Sequence, residues 1–363
     1  MKSNFEFLKK YWPVLAQIGA AAESYVYSDA NACLYKLGMF GERLILEIFA
    51  FEHIKEPAID NTHANRIRLL KREGLIPKKI DDILFVLRKT RNDAVHAGAD
   101  SVEDAKTLLS MTYNLAVWFM EVYGDWGYIA PAFIMPENMT KPDYAAIIKE
   151  QEEKITALSK QIEAVSTAAS SKTSKERAEK GETASESMEL SEAETRYLID
   201  EQLRKFGWEA DTNNLRYSKG TRPQKGRNLA IAEWPTDSTV GKNGYADYAL
   251  FVGLKLVGIV EAKKAAVDIP SAIDYQCKEY AKGIKAEHKE YIISQWGAYK
   301  VPFAFATNGR KYLKQIDTKS GIWCLDLRSG TSAPKALQGW ISPQGLMEQL
   351  EKDIATANSV LQN

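Results

Sequence analysis

Apolar residues in the first 130 positions recur every three or four residues, the spacing that places them on one face of an α-helix. The clearest run is Leu44, Ile45, Ile48 and Phe49. The same spacing returns over 67–70, 80–87 and 108–119. Amphipathic helices bury their apolar faces against one another, so the pattern predicts an all-α helical bundle over residues 1–135.

The pattern then changes twice. Ile148, Ile155 and Ile162 recur every seven residues, which predicts a short helical coiled coil. From 166 to 188 the sequence consists largely of Ala, Ser, Thr, Lys and Glu. Such a segment has too little large apolar surface to offset the entropy of ordering. We therefore predict a coiled coil and a flexible linker over residues 140–189.

From Leu190 onward, helical and strand periods alternate. The predicted elements are a helix over 191–206, strands over 245–252 and 256–260, a helix over 268–285, and two strands joined by a tight primed turn at Asn308-Gly309. This order predicts a mixed β-sheet with flanking helices across residues 190–363. The fold class is therefore α+β and multi-domain, with an α/β sheet domain after the bundle.

Composition narrows the picture only slightly. The 48 Lys and Arg residues balance 48 Asp and Glu residues, so any nucleic-acid binding must come from local patches. The three cysteines, Cys33, Cys277 and Cys324, are far apart and are predicted to be buried thiols of a reducing compartment. The sequence has neither an apolar signal core nor a run long enough to span a bilayer. We expect a cytoplasmic protein with no membrane partner.

Two carboxylates are the strongest chemical signal. Asp247 and Glu261 are equidistant from Leu254, so a turn centred there places them opposite each other on antiparallel strands. Lys263 projects from the same face as Glu261. Carboxylates this close repel unless a cation or a proton lies between them. The pattern predicts a divalent-metal site with a lysine beside it, and the alternative is a solvated hairpin edge on which Lys263 pairs with one carboxylate.

A carboxylate on one strand, Glu-x-Lys at the end of the next, and a preceding helix with Glu194 resemble the PD-(D/E)xK nuclease core. In phosphodiester hydrolysis, Asp247, Glu261 and the Ala262 carbonyl would hold Mg²⁺ through oxygen ligands. Lys263 would orient a water and offset charge in the transition state. Glu194 is expected to reach a ligand water or a second cation.

A basic loop precedes the hairpin and is predicted to neutralise DNA phosphates near the metal. The candidate DNA-binding residues are Lys219, Arg222, Lys225 and Arg227. The alternative is a solvated loop without a ligand.

Longer segments resemble one family. K-S-N-F-E-F-L-K, L-S-E-A-E-T-R-Y-L-I-D-E-Q-L-R-K-F-G-W, I-A-E-W-P-T, A-D-Y-A-L-F-V-G-L-K, V-E-A-K and F-A-T-N-G-R resemble the amino-terminal part of the restriction (R) subunit of type I restriction-modification enzymes. The resemblance implies a Mg²⁺-dependent endonuclease domain for double-stranded DNA, in a subunit that docks on modification and specificity subunits. Its catalytic motifs fall on Glu194, Asp247, Glu261, Lys263, Gln276 and Tyr280.

The sequence contains no motif of the ATP-driven motor of that family. No G-x-x-x-x-G-K-[ST] phosphate loop is present. We therefore expect a fragment that holds the endonuclease part and does not hydrolyse ATP.

Two other functions remain open at the level of sequence. Arg91 and His96 fit the R-N-x-x-x-H signature of HEPN-type domains, some of which are ribonucleases and others interaction modules. The whole chain is alternatively a non-catalytic assembly module that docks the nuclease to the modification and specificity subunits.

Overall fold

The computed structural model of the protein describes residues 3–55, 60–96, 98, 100–137, 172–238, 244–263, 269, 273–308 and 321–352. The chain divides into two compact units, Met1–Glu189 and Leu190–Asn363. The described part of the first unit is helical, and the second is built on a mixed β-sheet with helices. The predicted α+β fold class is therefore confirmed.

The first unit contains six described α-helices after a single 3-10 turn, Glu6–Lys10. They are α1 (Pro13–Tyr25), α2 (Ala30–Phe51), α3 (His63–Arg72), α4 (Lys78–His96), α5 (Val102–Phe119) and α6 (Ser174–Ser187). The long helix α2 packs against α1, α4 and α5. Its apolar stripe, which includes Leu44, Ile45 and Ile48, is fully buried. The apolar helix face that the sequence pattern predicts therefore forms part of the core of this unit.

Helix α6 corrects the predicted linker, part of which is an ordered helix. Thr173 and Glu176 form a capping box at its start. Arg177 makes a buried ion pair with Glu52, with Nε 2.6 Å from Oε1. Trp118 Nε1 donates to the Gly181 carbonyl at 3.0 Å. Composition missed this helix because its small residues form few apolar contacts, and buried polar contacts hold it in place. The predicted coiled coil at 148–165 lies outside the described residues.

The second unit begins with α7 (Glu192–Lys205). The remaining elements are β1 (Glu209–Ala210), β2 (Asn228–Pro235), β3 (Tyr245–Val252), β4 (Lys255–Ala262), α8 (Lys278–Lys282), β5 (Phe303–Thr307), β6 (Ile322–Asp326), β7 (Lys335–Ala336) and α9 (Pro343–Glu351). A π-helical turn, Ile273–Cys277, leads into α8. The strands form one seven-stranded sheet in chain order. Strand pairs β1–β2 and β4–β5 are parallel, and the other pairs are antiparallel.

Both faces of the sheet are covered, so this unit has two hydrophobic cores. One core lies against α8 and includes Ile231, Trp234 and Ile259. The other lies against α7 and α9 and includes Tyr248 and Trp208. Trp208 and Trp234 are buried, as expected of core residues.

The hairpin of β3 and β4 positions the predicted acids. Its turn is Gly253-Leu254, since Val252 pairs with Lys255, and Gly253 has a φ of 60°. A bulge follows, because Phe251 pairs with Leu256 while Leu250 pairs with Gly258. The next pairs continue to Tyr248 and Val260. One step further in this register, Asp247 and Glu261 face each other, as predicted.

Two other sequence predictions need correction. Thr307 pairs with Ile322, so β5 and β6 are not joined by a two-residue turn at Asn308-Gly309. The turn residues are present in the sequence, and the described part of the next strand begins at Ile322. The helix predicted to run to Lys285 ends at Lys282, where Gly283 interrupts it. None of the described helices is long and apolar enough to cross a bilayer.

Candidate active site

The candidate site lies at the ends of β3 and β4, where the two acids meet. Asp247 is held from two sides. Its Oδ2 accepts a hydrogen bond from the Ala262 backbone N–H at 2.7 Å, and its Oδ1 lies 2.6 Å from Nη2 of Arg196 on α7. Both carboxylate oxygens therefore have a donor, which fixes the orientation of the side chain.

Glu261 is the more deeply buried of the two acids, at 6% exposure. Its Oε1 accepts a hydrogen bond from Lys263 Nζ at 2.6 Å. The backbone N–H of Lys263 donates to the Thr307 carbonyl on β5, which extends the parallel pairing beyond Ala262. The lysine is therefore held in place beside the acid by its own backbone.

The two acids perturb each other. Burial, followed by the charge of Asp247, raises the pKa of Glu261 to about 7, against the opposing effect of Lys263. Burial also raises the pKa of Asp247, although Arg196 lowers it. A hydrogen bond between the two carboxyl groups raises the pKa of Glu261 and lowers that of Asp247. That is the direction expected when Glu261 holds the shared proton.

These residues fit a hard divalent cation. A proton shared by two carboxyl groups marks a place that favours positive charge, and carboxylate and carbonyl oxygens are the ligands Mg²⁺ prefers. Among the described residues, no cluster of three or more His, Cys, Asp or Glu side chains is arranged to hold a metal ion. The donor set predicted from the sequence, namely Asp247, Glu261 and the carbonyl of Ala262, contains only two such side chains, and its binding of a metal stays a prediction.

Glu194 lies at the N-terminus of α7 and is buried. Its Oε2 accepts from the Ser191 N–H at 2.7 Å, and Ser191 Oγ accepts from the Glu194 N–H at 3.3 Å. This is a capping box, so the carboxylate has a structural task at the start of the helix. Its expected contact with a ligand water remains a prediction.

The predicted Gln276–Tyr280 pair spans the junction between the π-helical turn and α8. Gln276 is half-buried and Tyr280 is buried. Burial raises the pKa of Tyr280, and the charges of Glu261 and Asp247 raise it further. The phenol therefore lies within electrostatic reach of the acidic pair. Cys277, between them, donates to the Phe305 carbonyl at 3.2 Å and belongs to the core.

Sequence reasoning missed two residues at the site. Arg196 contacts Asp247 and also Glu233 on β2, with 3.3 Å between Nη1 and Oε1. Glu233 has a φ of 52°, a strained conformation for a residue other than glycine. It lies between Ala232, which pairs with Tyr248, and Trp234, which pairs with Ala246. Glu233 therefore flanks Asp247 on the neighbouring strand.

The sequence holds a local signal for Arg196, whereas the signal for Glu233 is visible only in the structure. Arg196 follows Glu192 by one helical turn, and the two form an ion pair at 3.0 Å. In β2 the side-chain alternation shifts by one position at Glu233, because Ala230 and Ala232 belong to one core and Trp234 to the other. Such breaks in strands are common beside active sites.

The predicted DNA-binding residues fall into two pairs. The Arg222 guanidinium lies 3.7 Å from the centre of the Tyr217 ring, and Arg227 forms an ion pair with Glu209. Lys219 and Lys225 are exposed. Only the two lysines present charge that the structure does not already engage in a described contact.

In the helical unit, Arg91 is part of the packing. Its guanidinium pairs with Glu42 and lies 5.3 Å from the centre of the Tyr35 ring. A Cβ on Gly38 would meet the Arg91 side chain at 2.3 Å, so the two helices approach closely there. These contacts favour a structural role for Arg91. His96 ends α4, and its side chain lies outside the described residues.

The chain is similar in sequence to a known restriction enzyme subunit. Residues 209–350 match the family model of the second domain of the type I restriction enzyme EcoKI endonuclease subunit. The chain is 34% identical to the type I restriction enzyme EcoKI endonuclease subunit of Escherichia coli (strain K12) over 96% of its length. This chain is homologous to part of a type I restriction enzyme endonuclease subunit.

The chain spans 36% of the length of that subunit. Residues 20–161 match a second family model, a domain of unknown function (DUF4145). No solved structure matches the chain. The type I restriction family suggested by the sequence segments is therefore supported by comparison over nearly the whole chain.

Proposed function

We propose that the second unit is a Mg²⁺-dependent endonuclease domain that hydrolyses phosphodiester bonds of double-stranded DNA. The observation that carries the proposal is the buried Asp247–Glu261 pair with Lys263 Nζ 2.6 Å from Glu261. Homology to a type I restriction endonuclease subunit supports the same chemistry. The order and spacing of the acids and the lysine resemble those of a PD-(D/E)xK site, which supports the proposal.

Each residue of the site has a separate proposed role in hydrolysis. Asp247, Glu261 and the Ala262 carbonyl would hold the cation, which activates a water and neutralises phosphate charge when bound. Lys263 would orient the attacking water and offset charge on the phosphate. Tyr280, within electrostatic reach of both acids, would act beside them, and Gln276 is proposed to join it.

The proposal extends to partners. The exposed lysines Lys219 and Lys225 would contact DNA phosphates. As part of a type I restriction system, the chain would act with modification and specificity subunits in the cytoplasm. The helical unit, which contains none of the proposed nuclease residues, is the candidate docking element.

The test is cleavage of duplex DNA with Mg²⁺ in the reconstituted complex. Asp247→Asn and Glu261→Gln should each abolish cleavage, while Asp274→Asn, which alters an exposed acid on the turn before α8, should not. Unchanged cleavage by either site variant would refute the assignment. Pull-down of the modification subunit by residues 1–165 would separately support a docking role.

A further inference from the structure

Arg196 brings together carboxylates from three elements. Its Nη2 lies 2.6 Å from Asp247 Oδ1 on β3 and 3.0 Å from Glu192 Oε1 on its own helix. Its Nη1 lies 3.3 Å from Glu233 Oε1 on β2. The side chain is only 14% exposed, so solvent screens these contacts weakly.

The position of Arg196 is fixed by a buried chain of hydrogen bonds. Asp200 accepts from the backbone N–H of Thr212 at 2.7 Å and contacts its hydroxyl at 3.0 Å. That hydroxyl lies 2.8 Å from the Tyr248 hydroxyl, which donates to the backbone carbonyl of Arg196 at 3.4 Å. Tyr248 is the strand neighbour of Asp247. The helix and the strand that carry the ion pair are therefore tied together behind it.

We propose that Arg196 is a positioning residue of the site, which aims the Asp247 carboxylate and offsets one negative charge beside the divalent cation. The inference rests on the nuclease function proposed above. A planar guanidinium holds a carboxylate in a fixed orientation, which a lysine does less well. Its positive charge also repels any cation that enters the pair.

Each acid is thus paired with one positively charged side chain. Arg196 is paired with Asp247, and Lys263 with Glu261. A divalent ion that binds between the acids meets both positive charges. Removal of Arg196 should therefore have opposite effects on two quantities. The cation should bind more tightly because a repelling charge is gone, and cleavage should be slower because Asp247 is no longer aimed.

The first measurement is a calorimetric titration of the full chain with Mn²⁺ alone, without DNA. We expect Arg196→Gln to bind Mn²⁺ about fivefold or more tightly than the parent. Arg196→Lys should keep the parent affinity because it keeps the charge. Arg204→Gln is the matched control, since Arg204 lies on the same helix, is also largely buried and pairs with Glu201 instead. It should leave the Mn²⁺ affinity unchanged.

The second measurement is duplex cleavage at saturating Mn²⁺ in the reconstituted complex. Arg196→Gln should lower kcat about tenfold or more, with Arg196→Lys between it and the parent. Arg204→Gln should retain the parent kcat. A general loss of structure would weaken Mn²⁺ binding and cleavage together, so tighter binding with slower cleavage is specific to the proposed role.

The failure of this inference is distinguishable from failure of the nuclease assignment. If the parent binds no Mn²⁺, or if Asp247→Asn binds it as well as the parent, the proposed metal site is wrong. If Asp247→Asn abolishes binding but Arg196→Gln leaves the Mn²⁺ affinity unchanged or weaker, only the role of Arg196 is overturned.

Discussion

The backbone N–H of Ala262 donates a hydrogen bond to Oδ2 of Asp247 at 2.7 Å. The strand that carries Glu261 therefore also holds the other acid in place. Because the donor is a backbone group between Glu261 and Lys263, Ala262→Pro is the one side-chain substitution on β4 that removes it directly. The geometry of the acidic pair depends on the strand register, and substitutions at the site should change its chemistry more than its shape.

Lys263 gives the most direct test of the chemistry. Lys263→Ala should lower the rate of duplex cleavage by about 100-fold or more, because one positive charge at the transition state is lost. Lys263→Arg should recover only part of the rate, since a guanidinium has a different shape from an ammonium. Single-turnover cleavage with Mg²⁺ in the reconstituted complex measures both effects.

Lys255→Ala is the control for that experiment. Lys255 lies at the other end of β4 and is exposed, so its loss should not alter the rate. Equal cleavage by Lys263→Ala and the parent would remove Lys263 from the mechanism.

The raised pKa of Glu261 predicts how stability depends on pH. The folded protein holds this proton up to about pH 7, whereas the unfolded chain releases it near pH 4.5. Between these values the folded state binds more protons than the unfolded state, so the free energy of unfolding falls as pH rises. The loss should be at most about 3 kcal/mol by pH 8 without divalent cations.

Chemical denaturation of the full chain at several pH values measures this slope. Glu261→Gln should flatten it, because the substituted side chain does not titrate. Glu348→Gln, at an exposed position on α9, should leave the slope unchanged. Addition of Mg²⁺ at pH 8 should restore stability to the parent and not to Glu261→Gln. A parent chain whose stability is flat from pH 5 to 8 would contradict the shared proton.

The exposed lysines Lys219 and Lys225 predict how the affinity for duplex DNA depends on salt concentration. Lys219→Ala combined with Lys225→Ala should reduce the slope of log affinity for duplex DNA against log salt by about 2. Each lysine that contacts a phosphate releases about one counterion. Lys335→Ala, an exposed lysine on β7, serves as the control and should change nothing. An unchanged slope in the double variant would mean that the loop is simply solvated.

The buried ion pair of helix α6 predicts a large loss of stability when one of its two charges is removed. Arg177→Ala leaves the Glu52 carboxylate buried without its guanidinium, which should cost about 3–5 kcal/mol of unfolding free energy. Replacing both residues, as Arg177→Met with Glu52→Leu, should cost much less because no charge is left buried. Denaturation measures both, and hydrogen exchange of the α6 amides locates the change. A loss below about 1 kcal/mol for Arg177→Ala would show that α6 is held in other ways.

The sequence predicted the opposed acids for a partly wrong reason. A turn centred on Leu254 was expected, whereas the turn is Gly253-Leu254 and a bulge restores the register. Distance from the turn cannot reveal a bulge, because the bulge depends on pairing with the neighbouring strand. The apolar runs themselves were sufficient to place both strands.

What the sequence missed lies in polar contacts between distant residues. The α6 helix depends on Arg177 and Glu52, which are 125 positions apart. Arg196 and Asp247 are 51 positions apart. Neither pair has a local pattern, since periodicity reports which residues are buried and not which charges meet. Helices and strands with apolar faces were therefore predictable, and so was Lys263 beside Glu261, but the contact of Arg196 with Asp247 was not.

The bulge in the hairpin decides which residue of β4 faces Asp247. Between the paired positions, β4 contains one residue more than β3, and that residue is Val257. A regular ladder that paired Val257 with Leu250 would align Val260 with Asp247 and turn Glu261 to the opposite face of the sheet, whereas deletion of Val257 would remove the bulge and keep the two acids opposed. Loss of the bulge alone, with every residue kept, no change of charge and neither acid touched, would thus erase the site, so the bulge is as much a part of the site as the acids.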